Sequence, residues 1–405
     1  MTEVDASAPR PARGSPWEVF LVFLKLGTTS FGGPVAHLGY FRDEFVERRR
    51  WLEEREYADL VALCQFLPGP ASSQVGFAVG LLRAGTRGAL AAFAAFTLPS
   101  AVLMLAFAYG ASLFAGPIGE GVLAGLKVVA VAIVAQAVWA MARTLTPDRT
   151  RAGIAVVALV TATLLAGSIG QVAAILLGAL GGLLLCRTSP ATGGPLLRFP
   201  VRPAAGAVCL LSLALLLVAT PIVAVATGSG TVALFDAFSR AGALVFGGGH
   251  VMLPLLQAGV VDPGWVDGPQ FLAGYGAAQA VPGPLFTFAA YLGALSEVGP
   301  GGIGGALLAL LAVFLPGILL LVGVLPFWNG FRRRPWAHAL MQGANAAVVG
   351  ILAAALYSPV FTTAITGPGP FCLAVVCFVL LLAWRLPPWA VVVIAAAGGV
   401  LLAFL

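Results

Sequence analysis

Long apolar runs separated by short polar loops dominate the chain. Nine runs have spanning character, at about 88–112, 121–142, 152–167, 170–186, 205–226, 303–325, 339–358, 369–385 and 387–405. Each approaches the roughly 20 residues that cross a bilayer core, 152–167 and 170–186 being the short ones. Four further apolar stretches, about 17–38, 57–82, 231–256 and 271–295, are interrupted by glycine and proline. Broken backbone survives in lipid only where it is buried in protein or lines a cavity. These four stretches therefore mark a pathway.

The pattern occurs twice. Phe31-Gly32-Gly33 returns as Phe246-Gly247-Gly248, with Lys25 aligned to Arg240 and Trp51 to Trp265. Gln65 with Pro68-Gly69-Pro70 returns as Gln279 with Pro282-Gly283-Pro284, Leu98-Pro99 as Leu315-Pro316, and Gly125 as Gly343. The offset stays between 214 and 218 across these ordered matches. Chance does not supply that regularity, so the chain reads as a duplication.

Charge gives the copies a direction. The loop RDEFVERRRWLEERE carries Arg42, Arg48, Arg49, Arg50 and Arg55, whereas its counterpart, roughly 257–270, holds Asp262 and Asp267 and no Lys or Arg. Arg83 and Arg87 follow the first PGP, and the uncharged-to-acidic EVGPGGIGG follows the second. By the positive-inside rule these matched loops face opposite sides, which predicts inverted halves. Four full spans per half would leave the copies parallel, and the unpaired span 205–226 supplies the odd crossing. Arg187, Arg198, Arg202, Arg332, Arg333, Arg334 and Arg385 then all fall on the cytoplasmic side. Both flanks of 57–82 are basic and both flanks of 271–295 are not, so each broken stretch is expected to turn back at its break. The predicted fold is an all-α polytopic membrane protein. It has two inverted-topology repeats, each with two broken, re-entrant-like hairpins and four spanning helices, plus one linking span. The boundaries are a cytosolic tail at 1–16, a first repeat at 17–190, a linker at 191–230 and a second repeat at 231–405.

Composition narrows the function. Hydrophobic residues make up 60% and charged residues 9%, against roughly 25% charged in soluble domains, and mean hydropathy is +0.99. The net charge of +6 sits in loops, where topology explains it better than nucleic acid does. Cys64, Cys186, Cys209, Cys372 and Cys377 lie in apolar runs without metal-site spacing. Three histidines without a cysteine or carboxylate cluster make no metal site. The first sixteen residues lack the apolar core and cleavage site of a secretory signal. No nucleophile with a base and no phosphate-cradling loop suggests an enzyme or a cofactor.

What remains points to an anion. Unwound helices expose N–H groups and positive helix ends, and Gly32, Gly33, Gly247, Gly248 and Gly249 permit positive φ or close approach. The blander alternative is that these glycines serve tight helix packing. Lys25, Lys127 and Arg240 lie within apolar stretches, with Asn345 aligned to Lys127; Glu18, Asp59, Glu120 and Asp236 lie only near segment ends. A central Lys or Arg costs roughly 2.5–3.5 kcal/mol to insert, so such charges are functional by default, unless they snorkel to an interface. Gln65, Gln279, Ser72, Ser73, Gln74 and Thr287 flank the PGP turns and either donate to anion oxygens or satisfy freed backbone. His37 and His250 follow the FGG breaks, with His250 the better proton-handling candidate.

The stretches KLGTTSFGGPVAHLGYF, FLPGPASSQVGFAVG, AGALVFGGGHVMLPLL and AVPGPLFTFAAYLGA resemble the chromate ion transporter family in its long, two-domain form. The resemblance covers nearly the whole chain. It implies export of chromate across the bacterial cytoplasmic membrane, with sulfate as a related or competing oxyanion. FGGGH replaces FGGP in the second half, so a proline-led helix restart is expected only in the first. Export is expected to run on membrane potential alone or with a coupled proton, and the lack of an evident buried carboxylate as proton carrier favours the former. The anion, the lipid bilayer and, from the frequency of two-fold association, a second copy are the expected partners. Inversion predicts that cysteines introduced at Arg48 and Trp265 label from opposite membrane faces; labelling from one face refutes it.

Overall fold

A computed structural model describes residues 14–110, 116–165, 167–186, 199–246, 248–331 and 334–404. Gly247, Arg187, Arg198, Arg332, Arg333 and residues 1–13 of the expected tail lie outside the described residues. Among the described residues there are helices and loops and no strand.

The first repeat runs through α1 (Pro16–Thr29), α2 (Gly33–Arg42), α3 (Glu54–Phe66), α4 (Ala71–Gly110), α5 (Pro117–Leu145), α6 (Arg149–Leu164) and α7 (Gly167–Leu185). Helix α8 (Pro203–Thr227) links it to α9 (Gly230–Leu244), α10 (Met252–Leu256), α11 (Gly268–Ala278), α12 (Phe288–Leu295) and α13 (Gly302–Val324). The chain ends with α14 (Trp328–Phe331), α15 (Pro335–Ala355), α16 (Thr362–Ala364), α17 (Pro368–Leu382) and α18 (Pro388–Ala403). Proline opens α5, α8, α15, α17 and α18, where its missing N–H costs nothing. The breaks between α1 and α2, α3 and α4, α9 and α10, and α11 and α12 are the four interruptions that the glycines and prolines predict.

Helix α4 is two arms. Ala84 (φ −141°) and Gly85 (φ +65°) are non-helical. A Cβ on Gly80 would lie 2.5 Å from the Gly88 carbonyl oxygen and 2.8 Å from Ala92 Cβ. Eight residues of straight helix span about 12 Å, so arms 71–83 and 86–110 fold back side by side. In the second repeat Gly293 of α12 meets Gly305 and Ala309 of α13 in the same way.

Among the described residues six stretches are long and apolar enough to cross a membrane: α4, α5, α7, α8, α13 and residues 335–364. Helix α6 is as long as the run expected there, whereas α17 (15 residues) and α18 (16 residues) are shorter than the runs 369–385 and 387–405. Helix α17 opens on Pro368 and stops at Leu382, ahead of Arg385 with its φ of +55°, and Pro388 opens α18.

The repeats interlock. Helix α5 packs along α17 and α18, and α15 packs along α6 and α7. Gly125 lies against Ala395 and Ala396, Gly121 lies against Gly399 and Val400, and Gly343 lies against Gly178 and Gly182. Positions 125 and 343 correspond, as do 182 and 399, so one joint is built twice with its helices exchanged between repeats. Small residues let backbones approach in lipid, where packing rather than water exclusion holds helices together.

Ion pairs shape the basic loop between α2 and α3. Glu44 accepts from Arg48 and Arg49, and Glu18 accepts from Arg83. The guanidinium carbons of Arg49 and Arg83 stand 5.4 and 5.0 Å from the Trp51 ring centroid, within cation–π range. Arg42, hydrogen-bonded to Glu54, holds that carboxyl below its ordinary range. The copies share a closure: Trp51 N–H donates to the Phe45 carbonyl (2.7 Å), and Trp265 N–H to the Val260 carbonyl (2.9 Å). The doubled glycine joint predicts that Gly343→Val lowers the melting temperature in detergent, overpacking costing about 1–3 kcal/mol. Gly153→Ala, with nothing within 4 Å of its new Cβ, should melt like the wild type.

Candidate functional site

The breaks sit where glycine allows a left-handed backbone. φ is +99° at Gly32, +77° at Gly33, +124° at Gly69, +142° at Gly248 and +98° at Gly283, values that L side chains rarely adopt. Gly249 departs from the expectation, opening a short 3-10 turn with Val251 at its end. Pro34 stands in the first turn of α2, while the second FGG restarts without a proline.

The four breaks are tied crosswise. Gly69 N–H donates to the Val245 carbonyl at 2.7 Å, and Gly283 N–H donates to the Ser30 carbonyl at 2.9 Å. Ser30 and Val245 are matched positions, each preceding the phenylalanine of an FGG. Each PGP turn also seats on the other repeat's helix beside its internal proline. A Cβ on Gly69 would be 3.1 Å from Gly317 Cα, beside Pro316 of α13. A Cβ on Gly283 would be 2.8 Å from Ser100 Oγ, beside Pro99 of α4. The prolines matter because each leaves a carbonyl one turn earlier without its helical donor. The two FGG regions also meet, with Gly249 facing Pro34 and Leu285.

This arrangement sorts the polar candidates. Gln74, fully buried, donates from Nε2 to the carbonyls of Pro68 (3.1 Å) and Gly317 (2.9 Å). Thr287 donates to the Pro284 carbonyl at 2.8 Å, so both residues satisfy freed backbone. Ser73 Oγ and Gln279 Nε2 are buried without a partner, as are Ser30 Oγ and Thr97 Oγ1. Gln65 is exposed, unlike its counterpart Gln279. Ser72 Oγ lies 3.4 Å from His37 Nδ1, and His250 Nδ1 lies 2.7 Å from Tyr275 Oη. Phe31 leans on Trp389, with ring centroids 6.4 Å apart. Phe246 packs against the cluster holding Ala346 and Ala347, next to Asn345, whose Oδ1 is buried and unpartnered.

The three cations stand apart. Lys25 is exposed on α1. Lys127 lines a cleft of about 400 Å3 with Glu120, Thr363 and Thr366. The neighbouring Leu126 carbonyl abuts Gly276 in α11, the helix that leads into the second PGP. Arg240 lines a different cleft, of about 290 Å3. It is paired with Asp236, which also accepts from Thr220 Oγ1 at 2.6 Å. The expectation of no buried carboxylate is thus corrected at Asp236, beside Arg240. A four-residue spacing puts acid and base on one helix face, and Asp236 is buried.

Two full-length copies of one sequence pattern accompany this doubled geometry. The chromate transporter family's profile matches residues 17–183 and again residues 232–400. The chain belongs to the chromate transporter family. It is 30% identical to a "Probable chromate transport protein" of Synechococcus elongatus, over 82% of each chain. It is 29% identical to a "Chromate transport protein" of Pseudomonas aeruginosa, over 98% of this chain and 94% of the relative. A "Chromate transport protein" of Cupriavidus metallidurans is also 29% identical, over 84% and 81%. All three are named as transport proteins rather than enzymes. No solved structure matches. Both matches in this chromate transporter family member contain the FGG and the PGP of their repeat.

Sequence reasoning missed Ser30, Ser100 and Gly317 as seats for the breaks; the matched Pro99 and Pro316 were the signal for Ser100 and Gly317. Gln74→Leu should strand the carbonyls of Pro68 and Gly317 and lower stability by about 1–3 kcal/mol, read as a lower melting temperature with normal membrane insertion.

Proposed function

We propose that the protein exports chromate from the cytoplasm across the cytoplasmic membrane, with sulfate as a related oxyanion. In this reading the repeats are inverted, the N-terminus is cytoplasmic, and transport proceeds by alternating access. The crossed pair Gly69–Val245 and Gly283–Ser30 is the observation that carries it. Two equivalent closures, each joining one repeat to the other, suit a device in which one closure loosens toward one face while its twin holds. The substrate site lies at the FGG and PGP breaks. There Ser73, Gln279, Ser30 and Thr97 offer unspent polar atoms, and Lys127 supplies the charge from its adjoining cleft.

A dianion leaving a negative-inside cell gains roughly 4.6 kcal/mol per 100 mV, twice the single-charge figure. Asp236 spends its charge on Arg240, so membrane potential remains the proposed drive. Everted vesicles test the whole reading. Chromate should accumulate inside them, uptake should stop when the potential is collapsed, and Lys127→Ala should lose at least about tenfold in rate while still inserting. Uptake at the wild-type rate in that variant refutes the role of Lys127, and no uptake by the wild type refutes export.

A further inference from the structure

The cleft between α7, α8 and α9 is separate from the crossed breaks. It encloses about 290 Å3 and is lined by Arg240, Asp236, Gln171, Ser168 and Trp265 among apolar neighbours. Three features limit what can bind there. A guanidinium offers five N–H donors; Asp236 engages Arg240 through NH2, and the buried Nε has no acceptor. Gln171 is nine-tenths buried and donates from Nε2 to the Pro254 carbonyl at 2.7 Å. That bond fixes the amide orientation and leaves Oε1, also buried, without a donor. Asp236 and Arg240 together are neutral, and Thr220 holds the carboxylate in place.

A ligand for this cleft must therefore accept from a guanidinium, donate to an amide oxygen and carry little charge. A fully deprotonated tetrahedral dianion accepts but cannot donate, so it would face both the Asp236 carboxylate and Gln171 Oε1 with bare oxygens. Leaving that acceptor unmatched costs about 1–3 kcal/mol. The singly charged, protonated form of the same oxyanion meets all three demands. We infer that this cleft binds a protonated tetrahedral oxyanion, its bare oxygens on Arg240 Nε and its O–H donated to Gln171 Oε1. For chromate that species is hydrogen chromate. The identity of the anion rests on the proposed function, but the preference for an O–H does not. At this station a proton rides on the substrate, with no side chain as its carrier.

Binding to purified protein in detergent tests this at a single, mildly acidic pH, where phosphate is chiefly the singly charged dihydrogen ion and sulfate is a bare dianion. Calorimetry should show phosphate binding at least about tenfold tighter than sulfate, a difference of about 1.4 kcal/mol. The comparison is repeated in Lys127→Ala, so that the cleft beside the second break does not contribute. Gln171→Leu should erase the preference. Arg240→Lys, which keeps the charge but loses the Nε donor, should weaken phosphate binding at least tenfold. Equal affinity for the two anions in the wild type, a preference that survives Gln171→Leu, or unchanged phosphate affinity in Arg240→Lys overturns the inference. Chromate uptake in vesicles is scored separately, so a protein that prefers phosphate here yet moves no chromate refutes only the transport reading.

Discussion

Every backbone N–H and C=O freed by an unwound helix must find a partner, because lipid offers none. This chain unwinds four helices, and it meets that demand across the repeats as well as within them. Gly69 closes on Val245 and Gly283 closes on Ser30. Gln74 of one repeat caps a carbonyl at Gly317 of the other. Neither repeat can bury its own breaks alone. A half-chain inserted by itself would leave the carbonyl of Ser30 or Val245, and the matching glycine N–H, without the donor or acceptor seen here.

The same exchange governs the outer helices. Glycines 125 and 343 press against helices from the opposite repeat, so the packed units are α5 with α17 and α18, and α15 with α6 and α7. A rigid-body motion of these units therefore cuts across the boundary read from the sequence. Interiors are close-packed and tolerate few intermediate spacings, so a displacement that loosens one glycine joint shifts helices belonging to both repeats. In the proposed alternating access, that coupling would give the duplicated breaks a mechanical reason to alternate.

Much of this was legible in the residues. The broken stretches, the positive-φ glycines and the duplication follow from FGG, PGP and a nearly constant offset, because glycine and proline act locally on the backbone. What was not legible is what is made between distant residues. Lys25, Lys127 and Arg240 look alike as cations in apolar runs, yet one is exposed, one lines a cleft beside α11 and one is neutralised by Asp236. Gln65 and Gln279 are matched in sequence but differ in burial. Equivalent positions in a duplicated chain need not keep equivalent chemistry once the partners diverge. The short α17 and α18 show the other limit, since an apolar run counts residues while the backbone around a non-helical residue such as Arg385 decides where a helix ends.

The two donors that the breaks free most directly are already spent. Gly69 and Gly283 give their N–H groups to protein carbonyls, so in this state they do not serve an anion. Unspent polarity lies instead in Ser30, Ser73, Thr97 and Gln279, and a positive charge lies at Lys127 in the cleft it shares with Glu120. In the proposed site an anion would meet few fixed partners, which favours release over tight retention. If the proposed inversion holds, loosening one closure returns a glycine N–H to the pathway on the side that opens. The anion would then gain a donor at the moment of access and lose it at closure. The backbone bond that seals the breaks thereby competes with the ligand for one hydrogen, and that competition couples binding to opening without a further charged residue.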